Sequence, residues 1–336
     1  MTTIYLIRHA EAEGNVFRRL HGQYDSNVTP NGMKQIAALE KRFAAIDVDA
    51  VYASDLTRTC TTAGAVYKPK NLPLHREPRF RELNCGVWED QPFGWLDHAD
   101  PERNRAFSHD PQRWSVEGSE IFPVYTGRFL QALDEVARRH EGQTVAIFSH
   151  GMVLRGVMQR LFFPEKRDLP HSENTAVTKL VWDGTGYQLE YLNDASHLPP
   201  EITTLGRQQW WRGGEHRDFN MWFRDAQAQD AALLDALHAP QGECVRISSL
   251  IDEVTGAVVL RALDAQTDEL SWLSLLPEHR GRGLSAQLLG EAISLARRRG
   301  KRVLRLAAPV EDPAAAKLFA TYGFADNELS LQPTVR

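Results

Sequence analysis

The first 200 residues alternate apolar strand patterns with helical patterns, and this alternation constrains the fold most strongly. Short apolar runs over Thr3–Ile7, Asp49–Ala53 and Gln143–Phe148 predict buried strands. Ala176–Trp182 and Tyr187–Leu192 predict a closing hairpin around an Asp-Gly-Thr-Gly turn. The helical patterns lie at Met33–Phe43, Thr57–Val66, Gly118–His140 and Met152–Phe162. Repeated β-then-α order predicts a three-layer α/β/α domain, with one sheet covered by helices on both faces.

The pattern breaks at His197–Pro200 and then restarts, as expected for a chain of 336 residues. We interpret 199–212 as a linker, and predict a first domain over 1–204 and a smaller α/β domain over 205–336. The second domain begins with two short helical patterns to Ala239, and no early strand stands out in 205–242. Strands are predicted at Val245–Leu250, Ala257–Leu263, Leu270–Leu276 and Arg302–Ala307, a turn at Glu253–Gly256, and helices at Leu284–Arg299 and Pro313–Tyr322.

Composition excludes several classes of protein. A formal net charge of −5 without a long basic run argues against nucleic-acid binding. Three cysteines without a CxxC pair fit neither a disulfide framework nor a zinc ribbon. No secretory signal pattern and no run of 18 apolar residues occurs, so we expect a cytoplasmic protein without a membrane span. The oligomeric state stays open.

Polar residues with complementary chemistry follow the predicted strands of the first domain. Arg8 and His9 come after the first strand, His150 after the Gln143–Phe148 strand, and Arg58 begins a helix beyond Asp49–Ala53. Ligands of open α/β sheets bind at the carboxyl ends of strands. Two arginines suit a phosphate, one histidine can attack phosphorus, and Glu82 can protonate a leaving oxygen if it is partly buried. Each residue alone is more often a surface or core residue, and only their joint placement favours a site.

The motifs in this region resemble the histidine phosphatase (phosphoglycerate mutase-like) superfamily over about residues 1–204. They are Leu6–Glu11, Asn15, Thr29–Gly32, Ser54–Thr59 with Thr62 and Ala63, Arg81–Glu89, Ser149–Gly151 and Asn193–Leu198. The resemblance implies His9 as phosphoryl acceptor and Glu82 as proton donor. It also implies that Arg8, Arg58 and the catalytic His150 form the phosphate pocket, with Asn15 and Gly151 binding substrate. No metal is implied.

The stretch between Glu82 and His150 looks short for a mutase of this family, which favours a phosphatase acting on a small phosphorylated metabolite; a phosphoglycerate-type mutase is the alternative. This stretch holds aromatic and basic residues that form either a lid over the substrate or an aromatic subcore with exposed arginines. They are Trp88, Phe93, Trp95, Arg103, Arg105, Arg113 and Trp114.

A glycine-rich segment follows the predicted strand Leu270–Leu276 and opens a helix. With Tyr322-Gly323-Phe324 further on, it resembles the GNAT acyltransferase family over roughly 243–326. The resemblance implies that acetyl-CoA binds here. The implied cofactor-binding residues are Leu275, Arg280, Gly281, Arg282, Gly283, Leu284 and Ser285.

The second domain also departs from the GNAT pattern. Ser285 replaces a usual Gly or Ala, Asp312 a frequent Asn, and Phe319 a tyrosine that often serves as general acid. Tyr322 or Glu269 is a substitute proton donor. Two hypotheses remain: an N-acetyltransferase acting in the same pathway as the phosphatase, or a non-catalytic CoA-binding or interaction module.

Overall fold

The computed structural model describes residues 1–166, 169–208, 219–308 and 310–336. Its first sheet has six strands: β1 (Thr2–Arg8), β2 (Ala50–Ala53), β3 (Leu74–Arg76), β4 (Thr144–Ser149), β5 (Val177–Trp182) and β6 (Tyr187–Asp194). Their order is β3-β2-β4-β1-β5-β6, with the first four parallel and the β5–β6 hairpin antiparallel. The carboxyl ends of β1 and β4 are adjacent, because Arg8 pairs with Ser149.

Helices cover both faces of this sheet, so the predicted three-layer α/β/α fold is confirmed. On one face lie α2 (Pro30–Phe43) and α3 (Thr57–Tyr67); on the other lie α6 (Phe122–Arg139) and α7 (Gly151–Phe162). The start of α2 is encoded locally, since Pro30 occupies the first helical turn and the Thr29 hydroxyl accepts a hydrogen bond from the Gly32 amide.

Three short helices were not predicted from the sequence: α1 (Glu13–Phe17), α4 (Phe93–Ala99) and α5 (Pro101–His109). In the stretch between Glu82 and His150, Trp88, Phe107 and Trp114 pack against one another, with ring centroids 5.0 to 6.4 Å apart. The aromatic-subcore interpretation therefore fits these rings. Arg103, Arg105 and Arg113 border a separate surface depression.

The second domain is built on another six-stranded sheet, in the order β12-β11-β10-β9-β8-β7. Its elements are β7 (Met221–Asp225), α8 (Ala231–Ala236), β8 (Cys244–Leu250), β9 (Glu253–Ala262), β10 (Thr267–Leu275), α9 (Ser285–Arg298), β11 (Val303–Leu306), α10 (Pro313–Thr321) and β12 (Glu328–Ser330). β10 pairs with β11 in parallel only from Thr267 to Leu270, and the last residues of β10 extend beyond this ladder.

Two sequence-based expectations for the second domain were wrong. The turn expected at Glu253–Gly256 belongs to β9, and the chain reverses at Ile251 and Asp252, where Ile251 has a φ of 53°. β7 is an early strand within 205–242, where we had expected helical patterns. β7 has only five residues, so its alternation of apolar and polar side chains is too short to be recognised in the sequence. Of the expected linker, residues 209–212 lie outside the described residues.

The two domains share a buried interface. Phe17, at the end of α1, packs into the core of the second domain, with its ring centroid 5.2 Å from that of Tyr322. The guanidinium of Arg19 lies between Asp90 of the first domain and Glu291 of α9, 2.7 Å from a carboxylate oxygen of each. All three side chains are buried, so charged as well as apolar contacts join the domains.

Candidate active site

His9 directly follows β1 and is 7% exposed. Its Nδ1 lies 2.7 Å from the carbonyl oxygen of Ala10, which can only accept a hydrogen bond. Nδ1 therefore carries the proton of the neutral ring, and Nε2 keeps its lone pair. Burial, followed by the positive charges of Arg58 and Arg8, lowers the pKa of His9 well below 6.5. The ring is thus held neutral, in a tautomer that leaves Nε2 nucleophilic.

Arg8 and Arg58 are held by backbone carbonyls. Arg58 donates to the carbonyls of Tyr24 at 2.8 Å and Gly22 at 2.6 Å, and Arg8 donates to that of Ser172. The Nε atoms of both arginines are buried without a protein acceptor among the described residues. Gly151 permits this packing, because a Cβ there would lie 3.1 Å from Nε of Arg8. Two fixed cations with unused donors suit an oxyanion.

His150 caps the beginning of α7 and is fully buried, with its ring centroid 5.2 Å from that of His9. Its Nε2 lies 2.9 Å from the Ser54 hydroxyl, and its Nδ1 is buried without a partner among the described residues. Burial, followed by the charge of Arg58, lowers the pKa of His150 well below 6.5. The structure therefore brings both histidines from two strand ends into one buried group.

Glu82 reaches the amino end of α7. Its carboxylate oxygens accept hydrogen bonds from the amides of Met152 at 2.8 Å and Val153 at 2.6 Å. Burial raises the pKa of Glu82 above 4.5, although these amides and Arg58 act in the opposite direction. Desolvation outweighs the hydrogen bonds here, so the side chain meets the requirement for partial burial that an acid role sets.

A cavity of about 160 Å³ lies beside His9, Arg58 and Glu82, whereas His150 is not among its lining residues. Six of the predicted site residues line it. The predicted residues on its wall are Arg8, His9, Asn15, Arg58, Glu82 and Gly151. The side-chain oxygen of Asn15 accepts a hydrogen bond from the Ala12 amide at 2.9 Å, which orients this side chain on the cavity wall.

Phe93, which we had considered for a lid, lines the cavity. Other residues on the cavity wall were missed by sequence reasoning, among them Arg18, His21, Ser172 and Asn220. Asn174 was missed as well, although its side-chain amide donates to the His9 carbonyl at 2.8 Å. These residues converge only after tertiary folding, and none lies in a strand-end motif.

In the second domain, the glycine-rich segment connects β10 to α9. Gly281 and Gly283 have φ values of 76° and 78°, and a Cβ at either position would meet nothing within 4 Å. Leu275 ends β10, its carbonyl accepts from Nε of Arg280 at 3.0 Å, and Leu284 is buried just before Ser285 begins α9. The exposed loop and the helix amino end fit a pyrophosphate.

The proposed proton donors of the second domain are engaged elsewhere. Tyr322 packs on Phe17 at the domain interface, and burial raises its pKa to about 12. Glu269 is paired with Arg261 at 2.9 Å and accepts from Ser271 at 2.8 Å. Phe319 is buried against Phe324.

Comparison with known proteins identifies both domains. Residues 4–195 match the histidine phosphatase superfamily (branch 1), and residues 208–324 match the acetyltransferase (GNAT) family. The chain belongs to the histidine phosphatase superfamily and carries a GNAT domain at its carboxyl end. No helix within the described ranges is long and apolar enough to cross a membrane.

Individual relatives match the first domain. Phosphoserine phosphatase 1 of Hydrogenobacter thermophilus is 31% identical over 157 residues, covering 47% of this chain and 74% of the relative. The probable phosphoglycerate mutase GpmB of Proteus mirabilis is 27% identical, covering 59% and 95%. The structure of YhfR of Bacillus stearothermophilus superposes with a TM-score of 0.56 at 33% identity, covering 59% and 99%.

Proposed function

We propose that the first domain, residues 1–204, hydrolyses a small phosphomonoester through a phosphohistidine on His9. The observation that carries this proposal is the neutral, buried His9 with its free Nε2, in a site that also holds the buried Arg58 and the half-buried Arg8. The cavity volume is close to that of cavities that hold a benzene-sized molecule, which favours a small substrate. A relative named phosphoserine phosphatase 1 supports the same reaction type.

In the first step, Nε2 of His9 attacks phosphorus and the bond from phosphorus to the leaving oxygen breaks. Glu82 gives its proton to that oxygen, so the product alcohol leaves neutral. Arg8, Arg58 and His150 donate hydrogen bonds to the phosphoryl oxygens and balance their charge. In the second step, water attacks the phosphohistidine, Glu82 takes a proton from this water, and inorganic phosphate leaves with His9 restored.

A panel of phosphomonoesters tests this proposal. We expect phosphate release that survives EDTA, because arginine side chains rather than a metal ion balance the phosphate charge. His9→Ala should abolish release, whereas His75→Ala, an exposed histidine, should retain it. Formation of a phosphate isomer in place of free phosphate would indicate a mutase. Loss of activity on chelation, with recovery on adding Mg²⁺, would contradict the proposed mechanism.

We infer that the second domain, residues 205–336, binds acetyl-CoA at the β10–α9 loop but transfers its acetyl group slowly or not at all. The positive-φ glycines and the start of α9 offer backbone amides to the pyrophosphate, and Ser285 is small enough to be tolerated. Bound acetyl-CoA would supply an activated acetyl group. Efficient transfer also needs a proton donor. Phe319 is apolar, Tyr322 is half-buried against Phe17 at the interface, and Glu269 is paired with Arg261.

Calorimetry with acetyl-CoA on the full chain tests this inference. We expect binding by the unaltered protein and none by Gly283→Glu, which adds bulk and negative charge to the loop. A folded protein that shows no heat and no thermal shift would place the domain in a structural class. Rapid acetyl transfer to an amine would instead support an active N-acetyltransferase working alongside the phosphatase.

A further inference from the structure

The wall of the phosphatase cavity is completed by the second domain. Besides residues of the first domain, the cavity is lined by Gln208 of the connecting segment and by Asn220, which immediately precedes β7. Asn220 is 3% exposed, and its side-chain amide donates to Asp97 of α4 at 3.2 Å. The part of the cavity near Asn220 is therefore a feature of the two-domain chain.

Arg18 lies on this shared part of the wall. Its Nε donates to the side-chain oxygen of Asn220 at 2.9 Å, and a terminal nitrogen lies 3.5 Å from that of Gln208. The guanidinium carbon is 4.8 Å from the ring centroid of Phe93. Three contacts from three segments thus orient this cation along the cavity.

The backbone at Arg18 supports the same conclusion. Arg18 ends α1 with a φ of 55°, in the left-handed region that few residues other than glycine adopt. Such a conformation costs about 1 kcal/mol or more, and persists where the surrounding contacts determine it. Here it directs the side chain to Asn220 while Phe17 and Arg19, on either side, are anchored to the second domain.

Arg18 is electrostatically distinct from the phosphate-binding cations. The charges of Arg58 and Arg8 act on the pKa of His9, whereas Asp97 acts on that of Arg18. Burial lowers the pKa of Arg18 to about 10, so its guanidinium still carries a positive charge near neutral pH.

We propose that the interdomain end of the cavity is an acid-binding subsite, in which Arg18, positioned by Asn220 and Gln208, binds a second anionic group of the phosphomonoester. This proposal rests on the proposed phosphatase function and names its substrate class: small phosphate esters that carry a carboxylate or a second phosphate. Asn220 is a positioning residue contributed by the second domain.

Three two-carbon esters that differ only at the distal end test the subsite. They are phosphoglycolate, with a carboxylate, 2-hydroxyethyl phosphate, with a neutral hydroxyl, and phosphoethanolamine, with an ammonium. We expect kcat/KM to be highest for phosphoglycolate and lowest for phosphoethanolamine. A bisphosphate, ethylene glycol bisphosphate, shows whether a second phosphate serves as well as a carboxylate.

Variants of the full chain test whether Arg18 causes the preference for a distal carboxylate. Arg18→Gln should lower the ratio of kcat/KM for phosphoglycolate to that for 2-hydroxyethyl phosphate about 10- to 100-fold, mainly through KM, since a hydrogen bond to a charged group is lost. Arg18→Lys should recover part of the ratio. Asn220→Ala should lower it less than Arg18→Gln does. Arg103→Gln, an exposed arginine outside the cavity, is the matched control and should leave the ratio unchanged.

The outcomes separate the two proposals. If no ester is hydrolysed, including p-nitrophenyl phosphate, the phosphatase function itself is wrong. If all are hydrolysed without an acid preference, or the preference survives Arg18→Gln in a protein of unchanged thermal stability, the phosphatase stands and the subsite is refuted.

Discussion

Burial shifts the pKa values of His9 and Glu82 in opposite directions, down for His9 and up for Glu82. Desolvation disfavours the charged form of either group, so it keeps the imidazole neutral and favours the protonated carboxyl. The proposed first step needs this combination, a base that attacks and an acid that gives a proton. The sequence shows both residue types within recognisable motifs, but only packing determines the direction in which their pKa values shift.

The pH profile of kcat/KM should report both groups. The pKa of His9 lies well below 6.5, so His9 stays neutral as the pH falls through 6.5. Activity should therefore persist at this pH and be lost only at a lower pH. As the pH rises past the raised pKa of Glu82, the acid loses its proton and activity should fall. An acid limb centred at or above 6.5 would show that His9 titrates as an ordinary histidine.

Replacing Glu82 tests its role as the proton donor. Proton transfer by a positioned side chain contributes about 10²- to 10⁴-fold. Glu82→Gln should therefore slow hydrolysis of alkyl phosphates by about this factor, and of aryl phosphates much less, because their leaving oxygen needs little protonation. The comparison requires kcat for one substrate of each type. Equal losses on both would assign Glu82 a structural role at the start of α7.

Helices α1 and α9 meet at Gly290. A Cβ on Gly290 would lie 2.4 Å from the Cβ of Phe17, which is closer than two nonbonded carbon atoms can approach. This contact sets the position of α1, whose end carries Arg18 into the cavity wall. The sequence predicted α9 from its period, but α1 has only five residues and no periodic signal.

Two helical glycines provide a matched pair of substitutions. Gly290→Ala should lower the thermal midpoint and the phosphatase activity together, because α1 has to move. Gly64→Ala in α3 should be neutral or stabilising, since its Cβ would meet only the flexible end of Lys68 at 3.4 Å, and alanine favours a helix by about 1 kcal/mol. Thermal unfolding of both variants checks this prediction, and a tolerated Gly290→Ala would argue against the tight α1–α9 contact.

A buried network of polar side chains joins the two domains. Arg19, Asp90 and Glu291 are buried across the domain boundary, and the Ser294 hydroxyl of α9 donates to Asp90. The alternation of strands and helices indicates two domains, and family resemblance identifies each. Neither reveals that they share a cavity wall, because Arg18 and Asn220 are 202 residues apart and meet only through docking.

Breaking the interface network should be costly. Glu291→Leu leaves Arg19 with one carboxylate fewer in a buried setting, and removing one partner of a buried ion pair typically costs about 3–5 kcal/mol. We expect the unaltered protein to unfold in a single calorimetric transition and Glu291→Leu to unfold at a lower temperature. Two separate transitions in the unaltered protein would contradict this account of the interface.

The central claim, that His9 carries the phosphoryl group, is tested most directly by trapping the intermediate. The protein is mixed with a hydrolysed phosphomonoester, quenched in base, digested and analysed by mass spectrometry. We predict a phosphoryl group on His9 that is stable in base and labile in acid, and its absence from His9→Ala. A phosphoryl group on another residue, or one retained by His9→Ala, would contradict the account.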